Sequence, residues 1–319
     1  MKKKVSFMDI GTNSCKADTI EIDINTKKYT TIESFRILTR LGKNYNNDRK
    51  LCNESIDRTV YSIKKLQLLL SGEKIYAVAT SAVRDAENKE DFIKEVHKKT
   101  GIKVKIISEK KEAYLIYLGI ISTLDLGINN GMFIDIGGGS TEIMAGNKHK
   151  CLYSESFKTG AIRIYEKFFT QNSNEIDSKE YETVIEYVKS KTKNACDNIN
   201  SLNAKYLIGS SGTITNLGEI TKVRTENYSV LNKYSYEINI KDLKETINIL
   251  CSLTLEERKK NHGIRPERAD IIVPGAAVLD AIIQNTQFES IIITALSLKE
   301  GLIANYMKIY DIKKENQNK

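Results

Sequence analysis

The sequence of 319 residues contains no Trp, two Pro and three His. The scarcity of Pro argues against a Pro-rich linker, and the lack of Trp argues against a recognition groove built on indole rings. The histidines His97, His149 and His262 lie far apart without metal-ligand spacing, so we expect each of them at the surface. No run of about 18 consecutive apolar residues occurs, and the sequence therefore predicts no transmembrane helix.

The five cysteines form no C-x-x-C pair. They are Cys15, Cys52, Cys151, Cys196 and Cys251. An odd number of scattered cysteines is typical of reduced, mostly buried thiols rather than of a disulfide framework or a zinc site. The basic start, residues 1–4, resembles that of a signal peptide, but the apolar stretch after it stops at Asp9 and is too short. We therefore expect a cytoplasmic protein.

The charge balance is basic, with 49 Lys and Arg against 41 Asp and Glu and a formal net charge of +8. The 40% hydrophobic and 28% charged content is that of an ordinary globular protein, which excludes a disordered chain or a collagen. The positive excess is compatible with a polyanionic partner, either nucleic acid, phosphates or an anionic membrane. The length suggests two domains.

The chain repeats itself. Residues 7–14 (FMDIGTNS) return as residues 133–140 (FIDIGGGS), and both copies place an Asp at the end of an apolar run before a Gly turn. Three further echoes keep the same order. They pair residues 33–36 with 155–158, 76–82 with 206–212, and 111–113 with 299–301. These echoes predict an internal duplication, with domains over residues 1–126 and 127–319 and a last helix that packs back on the first domain.

Each half begins with three strand-like segments and continues with helices alternating with strands, which predicts layered α/β domains. We expect Asn53 to cap a helix, a long helical insert over residues 177–199, and one continuous helix over residues 269–284. Ligands of such sheets bind beyond the carboxyl ends of strands, so two homologous halves imply a cleft between them.

The repeated turns combine a carboxylate with a loop rich in glycine and hydroxyl groups, a composition suited to cradling phosphate. Asp9, Asp135 and Glu142 carry the oxygen ligands that Mg²⁺ prefers. A lone Asp-Ile-Gly is a common strand end, but two copies with an Asp before each turn predict phosphoryl transfer. The spacing is not that of Walker A. The candidate phosphate-binding residues are Asn13, Ser14, Lys16, Gly138, Gly139, Ser140, Thr141, Ser210, Ser211 and Thr213.

The motif set resembles the exopolyphosphatase and guanosine pentaphosphate phosphohydrolase family, within the acetate and sugar kinase, Hsp70 and actin superfamily. The segments that carry this resemblance are residues 79–86 (ATSAVRDA), 111–113, 135–142 (DIGGGSTE), 268–270 and 298–302. They cover essentially the whole chain in order. The resemblance implies an α/β fold with two actin-like (ribonuclease H-like) domains and an interdomain active-site cleft.

The resemblance also implies the release of terminal orthophosphate from inorganic polyphosphate, or of the 5′-terminal phosphate from guanosine pentaphosphate, with Mg²⁺ or Mn²⁺. Glu112 is then the general base, Arg84 binds phosphate, and Asp135 and Glu142 serve the metal, with Asp9 a weaker candidate. The chain has no room for the accessory domains of longer members, which implies a preference for short chains. We expect neither nucleic acid nor a membrane as partner, and a homodimer stays open.

Three other classes of function are the alternatives to a hydrolase. A polyphosphate or nucleotide sensor without catalysis, or a filament-forming actin-like protein, has no need of a water-activating carboxylate, and Glu112 argues against both. A sugar or acetate kinase is a further alternative, but no motif selects a sugar or an acyl acceptor. The basic excess is best explained by a phosphate chain as the partner.

Overall fold

A computed structural model describes residues 2–26, 28–44, 49–169, 176–261 and 263–317, with side chains as far as residue 308. The chain divides into two compact units. Unit 1 comprises residues 1–115 and 298–319, and unit 2 comprises residues 116–297. Unit 1 is therefore built from both ends of the chain, whereas unit 2 is continuous in sequence.

Unit 1 contains a five-stranded sheet with the order β3-β2-β1-β4-β5. The strands are β1 (Lys2–Ile10), β2 (Ser14–Asp23), β3 (Lys28–Leu38), β4 (Ile75–Ala79) and β5 (Val104–Ile106). The first three strands are antiparallel, and β4 and β5 run parallel to β1. The central strand β1 is buried on both faces, since Phe7 and Met8 point to different apolar clusters.

Helices cover both faces of this sheet. The first four helices in the described part of the chain are α1 (Asn53–Leu69), α2 (Ser81–Asp85), α3 (Lys89–Thr100) and α4 (Glu109–Ile121). Ile63 of α1 and Phe92 of α3 pack with Met8 in one cluster. On the opposite face, the last helix of the chain (Leu298–Gln317) places Ile303 against Phe7. The last helix thus completes the core of unit 1.

Unit 2 contains a seven-stranded sheet with the order β10-β11-β12-β9-β6-β7-β8. The strands are β6 (Gly131–Ile136), β7 (Thr141–Gly146), β8 (Cys151–Phe157), β9 (Tyr206–Ser210), β10 (Ser229–Asn232), β11 (Ser235–Asn239) and β12 (Ser290–Thr294). Strands β6 to β8 are antiparallel, and β9 and β12 run parallel to β6. Without the β10–β11 hairpin, the order and directions are those of unit 1.

The helices of unit 2 pack around one large apolar core. They are α5 (Ala161–Phe168), α6 (Ser178–Asn200), α7 (Ser211–Thr225), α8 (Ile240–Ser252), α9 (Leu255–Lys260) and α10 (Ile272–Ile283), and the last helix of the chain is α11. Val184 and Val188, one turn apart on α6, face Val273 and Ala277 of α10 in this core. Every residue of helix α10 except Asp280 is apolar and buried.

The predicted α/β class and the actin-like (ribonuclease H-like) topology are confirmed, since both units repeat one strand order. The sequence echoes fall at equivalent places. Asp9 and Asp135 each precede the last residue of the first strand of their unit. Ser81 and Ser211 each begin the helix after the fourth strand. Glu112 and Glu300 each lie in the first turn of the helix after the last equivalent strand.

Two local predictions are wrong, and one element was not predicted. Asn53 does not cap α1, because the cap position is held by Cys52 and Asn53 is the first helical residue. The helix predicted over residues 269–284 begins at Ile272, after a separate 3₁₀ turn at Pro266–Arg268. The β10–β11 hairpin was not predicted, because its strands are short and lack strong periodicity, with buried residues only at Ser235 and Ile238.

The cysteines are free, as predicted. Burial raises the pKa of Cys15 to about 12 and that of Cys196 to about 11, so both thiols stay protonated at neutral pH. His97 and His149 are exposed, as predicted, and His262 lies outside the described residues. Within the part of the chain that the structure describes, no helix has both the length and the apolar character needed to cross a membrane.

Helix α11 touches α4 so closely that position 301 tolerates only glycine. A Cβ added to Gly301 would lie 1.8 Å from the carbonyl oxygen of Leu115. We predict that Gly301→Ala destabilises the protein by about 1–3 kcal/mol through overpacking, although Gly to Ala in a helix normally stabilises. Urea unfolding measures the effect. Lys308→Ala, at an exposed position of the same helix, is the control, and a stabilised Gly301→Ala variant would contradict the packing.

Candidate active site

A tight turn follows the first strand of unit 2. The N–H of Gly137 donates to the carbonyl of Ser140 over 2.9 Å, which closes the turn. The carbonyls of Gly138 and Gly139 accept from the N–H of Ile162 and from Nε of Arg163. Within the described residues, the N–H groups of both glycines have no acceptor. The turn is therefore held by its carbonyls and leaves two backbone donors for an anion.

The turn is backed by Gly160, the residue before α5. A Cβ at this position would lie 2.4 Å from the backbone nitrogen of Ser140 and 2.5 Å from the carbonyl carbon of Gly138. A side chain would push the turn out of place, so the close approach of the two backbones requires glycine here.

Two buried carboxylates lie beside this turn. Asp135 and Glu142 are direct cross-strand neighbours on β6 and β7, and both are buried. Directly opposed side chains in an antiparallel pair lie about 5 Å apart. Asp135 accepts from Oγ of Ser210 over 2.5 Å, and Glu142 accepts from Oγ of Ser156 over 2.7 Å. A buried pair of like charges favours a cation or a proton between them.

Three of the hydroxyl groups predicted to bind phosphate in unit 2 donate hydrogen bonds within the unit. Ser210 donates to Asp135, Ser211 donates to the carbonyl of Ile136 over 2.5 Å, and Thr141 donates to the carbonyl of Thr159 over 3.0 Å. Each hydroxyl has one hydrogen to donate. The contacts of these residues with a phosphate stay predictions, as do those of Ser140 and Thr213, both of which are buried.

The equivalent turn of unit 1 is closed by the N–H of Gly11, which donates to the carbonyl of Ser14 over 3.1 Å. Oγ of Ser14 accepts from Nε of Arg36 over 3.2 Å. The side chain of Asn13 is only 7% exposed, yet neither its Oδ1 nor its Nδ2 has a hydrogen-bond partner among the described residues. A buried amide without partners costs free energy that a ligand can recover.

Asp9 of unit 1 faces Lys16, which occupies the place that Glu142 holds opposite Asp135 in unit 2. Oδ1 of Asp9 is buried without a hydrogen-bond partner in the described part of the chain. Burial raises the pKa of the Asp9 carboxyl, Lys16 opposes this shift, and Asp18 adds to it. At these equivalent cross-strand positions, unit 1 therefore carries a carboxylate and a lysine, whereas unit 2 carries two carboxylates.

Arg84 and Glu112 form a buried ion pair in unit 1. Nη1 of Arg84 lies 2.5 Å from Oε2 of Glu112, and it also donates to the carbonyl of Ile107 over 3.3 Å. The two side chains are 12% and 8% exposed. Oδ1 of Asp85 lies 3.8 Å from Nε of Arg84, so a second carboxylate also faces the guanidinium. This arrangement places a carboxylate and a guanidinium, a group suited to binding phosphate, side by side.

Local structure explains the position of this pair. Arg84 lies on α2, which follows β4, and Glu112 lies in the first turn of α4, which follows β5. Oγ of Ser108 accepts from the N–H of Lys111 over 3.3 Å and caps α4. The adjacent parallel strands β4 and β5 bring both helix starts to one edge of the sheet.

The repeat partner of Glu112 has a different environment. Glu300 lies 3.2 Å from Nζ of Lys299, and Lys299 also lies 3.4 Å from Asp18 of β2. Burial alone would lower the pKa of Lys299, but the carboxylates of Glu300 and Asp18 raise it above its ordinary value. This cluster attaches the start of α11 to the sheet of unit 1.

The structure therefore groups the sequence-predicted residues in two sets. The set in unit 1 lies at the carboxyl ends of its strands and comprises Asp9, Asn13, Ser14, Lys16, Arg84 and Glu112. The set in unit 2 comprises Asp135, Gly138, Gly139, Ser140, Thr141, Glu142, Ser210, Ser211 and Thr213. Among the described residues, no cluster of three or more His, Cys, Asp or Glu could hold a metal ion on its own.

Sequence reasoning missed three polar residues at these strand ends. Arg163 binds the carbonyl of Gly139, and buried Arg268 lies so close to Gly212 that a Cβ there would be 1.9 Å from its Nη2. Ser81 is buried with no partner for its Oγ among the described residues. The only sequence signal for Ser81 is its place in a Thr-Ser segment at a strand end.

Two duplicated α/β units, each with a carboxylate and a closed turn beyond its first strand, define a phosphate-handling protein of the actin-like class. The chain matches the Ppx/GppA phosphatase family over residues 22–309, and it therefore belongs to this family of hydrolases.

The family relatives include both curated proteins and solved structures. The chain is 32% identical to the bifunctional 3-dehydroquinate synthase/phosphatase of Fusobacterium nucleatum over 86% of its length, and it spans 42% of that larger protein. It is 26% identical to a crystal structure of an exopolyphosphatase from Cytophaga hutchinsonii, covering 96% of this chain and 98% of the other with a TM-score of 0.88. An Aquifex aeolicus family member shares the fold at 23% identity, covering 99% of each chain with a TM-score of 0.77.

We predict that Arg84→Met lowers the free energy of unfolding by about 3 kcal/mol, because it takes the guanidinium away from the buried carboxylate of Glu112. The double variant Arg84→Met/Glu112→Leu should recover part of this loss, since an apolar pair removes both charges. Urea unfolding of the single and double variants measures the coupling. The control is Lys99→Met, which removes an exposed pair with Glu95 and should cost at most about 0.5 kcal/mol. Equal effects of Arg84→Met and Lys99→Met would contradict a buried pair.

The raised pKa of Asp9 predicts a pH-dependent gain from Asp9→Asn. The folded carboxyl titrates above its ordinary value of 3.8, so its ionisation costs stability once the pH exceeds that value. In metal-free buffer, Asp9→Asn should raise Tm at pH 7, and the gain should vanish near pH 3, where the carboxyl is protonated in both states.

Asp23→Asn provides a control of opposite sign for this prediction, because hydrogen bonding by the N–H of Asn25 lowers the pKa of Asp23. The Asp23→Asn variant should not raise Tm at pH 7. A gain from Asp9→Asn that is constant with pH would rule out the carboxyl as its source.

Proposed function

We propose that this chain is an exopolyphosphatase that releases terminal orthophosphate from inorganic polyphosphate by attack of water. The observation that carries the proposal is the buried pair of Arg84 and Glu112 at the strand ends of unit 1, 2.5 Å apart. Membership of a phosphatase family and the similarity to the Cytophaga hutchinsonii exopolyphosphatase support the choice of reaction.

Glu112 acts as the general base in this proposal. Its carboxylate orients a water molecule and takes a proton from it as the water oxygen bonds to the terminal phosphorus. The bond between that phosphorus and the bridging oxygen breaks, and the electron pair leaves with the shortened chain. Arg84 holds oxygens of the reacting phosphoryl group and offsets the charge that develops on them.

The backbone donors of the turn at Gly138 and Gly139 hold phosphate oxygens in this reaction. Their N–H groups lack acceptors among the described residues, and the turn is rigid because its carbonyls are bound. A preformed pair of N–H donors binds an anion without reorganising when it arrives. Asn13, Ser14 and Lys16 have the same role in unit 1.

Mg²⁺ (or Mn²⁺) is the metal that we propose, with Asp135 and Glu142 as its protein ligands. The residues fit this ion, because Mg²⁺ is commonly bound by one or two carboxylates together with substrate phosphates and water. When bound, the ion neutralises phosphate charge. Asp9 remains a weaker candidate, since Lys16 lies directly opposite it.

Guanosine pentaphosphate is the alternative substrate, because the motif set also resembles that of the guanosine pentaphosphate phosphohydrolases. Its 5′-terminal phosphate is also held by a phosphoanhydride, so the same residues could serve. A binder without catalysis remains a third class, in which these residues hold phosphate but cleave nothing.

The test is phosphate release by the purified protein with Mg²⁺ from short polyphosphate, long polyphosphate, guanosine pentaphosphate and ATP. We expect release from polyphosphate, faster with short chains, lost on chelation, and a KM that rises steeply with salt because a polyanion releases counterions on binding. Release from guanosine pentaphosphate alone would favour the alternative substrate. No release from any of them would contradict the hydrolase function.

A matched pair of variants tests the base in the same assay. Glu112→Gln should lower kcat by at least about a hundredfold, since a positioned base contributes 10²–10⁴ in rate. Glu300→Gln changes the equivalent residue of the second repeat, which pairs with Lys299, and should change kcat less than about threefold. Equal losses in the two variants would remove Glu112 as the base.

A further inference from the structure

The duplication supplies an internal comparison for each polar side chain at the strand ends. Ser211 and Ser81 occupy equivalent positions, as the first residues of the helices after β9 and β4. In unit 2, Oγ of Ser211 donates to the carbonyl of Ile136 over 2.5 Å. In unit 1, the equivalent carbonyl of Ile10 accepts instead from the N–H of Thr80 over 3.2 Å. The hydroxyl of Ser81 is thus not used where its counterpart is.

Ser81 is also buried in surroundings that offer its hydroxyl no hydrogen bond among the described residues. It is 2% exposed, and its Oγ has no hydrogen-bond partner among the described residues. A buried hydroxyl without a partner costs free energy relative to one that is satisfied. Replacing it with alanine would remove this cost, so the serine weakens the ligand-free protein.

Two further polar groups lie at the same edge of the sheet. Ser81 and Arg84 are three residues apart on α2, which places their side chains on one side of the helix. The buried, unpartnered amide of Asn13 follows β1, and β1 pairs with β4 so that Ile10 lies opposite Ala79. The strand ends of β1 and β4 therefore collect hydrogen-bond donors of three kinds.

We propose that Ser81 donates a hydrogen bond to a phosphoryl oxygen of the substrate and shares that phosphoryl group with Asn13 and Arg84. A hydroxyl, an amide and a guanidinium are all donors, and a tetrahedral oxyanion offers acceptors in several directions at once. This role deepens the proposed function and rests on it. Ser81 accordingly lowers the stability of the ligand-free protein and raises its affinity for phosphate chains.

The test compares Ser81→Ala with Ser62→Ala. Ser62 is a buried serine of α1 in the same unit, but its Oγ donates to the carbonyl of Arg58 over 2.8 Å. Tripolyphosphate binding is measured by calorimetry in the Glu112→Gln background with Mg²⁺, which prevents turnover, and Tm is measured without ligand.

We expect Ser81→Ala to weaken tripolyphosphate binding about tenfold, the effect of one hydrogen bond to a charged group, while Tm stays equal or rises. Ser62→Ala should lower Tm and leave the dissociation constant within about twofold. A structural serine would show the second pattern.

Unchanged affinity in Ser81→Ala overturns the inference, whatever the change in Tm, and so does an equal loss of affinity in Ser62→Ala. The proposed function fails separately. If the parent protein hydrolyses no phosphate chain but Ser81→Ala still weakens tripolyphosphate binding, the hydrolase function is lost and the role of Ser81 in binding stands.

Discussion

The parallel pairing of the first and fourth strands is the constraint on which each unit depends. In unit 1 this register sets Ile10 beside Ala79, and in unit 2 it sets Asp135 beside Ser210. Parallel neighbours end at the same edge, so the turn after one strand and the helix after the other begin side by side. Each unit brings its turn and its helix start together through this parallel pairing, although the register of the two strands differs by two residues between the units.

The duplicated units keep one backbone and differ in charge. A lysine faces the first aspartate in unit 1, whereas a glutamate faces it in unit 2. The hydroxyl at the start of the helix after the fourth strand has no hydrogen-bond partner among the described residues of unit 1, whereas it donates to a carbonyl in unit 2. The first copy is therefore richer in donors for anions, and the second is richer in ligands for a cation.

The fold was largely predictable because its signals are repeated. Apolar runs ending in Asp-Ile-Gly are strong and occur twice, so the duplication could be inferred from residues 7–14 and 133–140, and the resemblance of the motifs to a known family implied the topology. The hairpin β10–β11 could not be inferred, since its strands are short and carry no strong periodicity. The candidate residues were named from motifs, but hydrogen-bond satisfaction is a three-dimensional property. That Ser81 lacks a partner, whereas Ser211 has one, is invisible in the sequence.

The divided sequence of unit 1 has a consequence for the order of folding. Strand β1 is made first, but Ile303, which covers Phe7, follows almost three hundred residues later. At a synthesis rate of about 5–20 residues per second, the apolar face of this sheet stays without Ile303 for roughly 15–60 s. Unit 2 is continuous, so all of its residues are made before Ile303. The core of unit 1 can therefore be completed only after the whole of unit 2 has been synthesised.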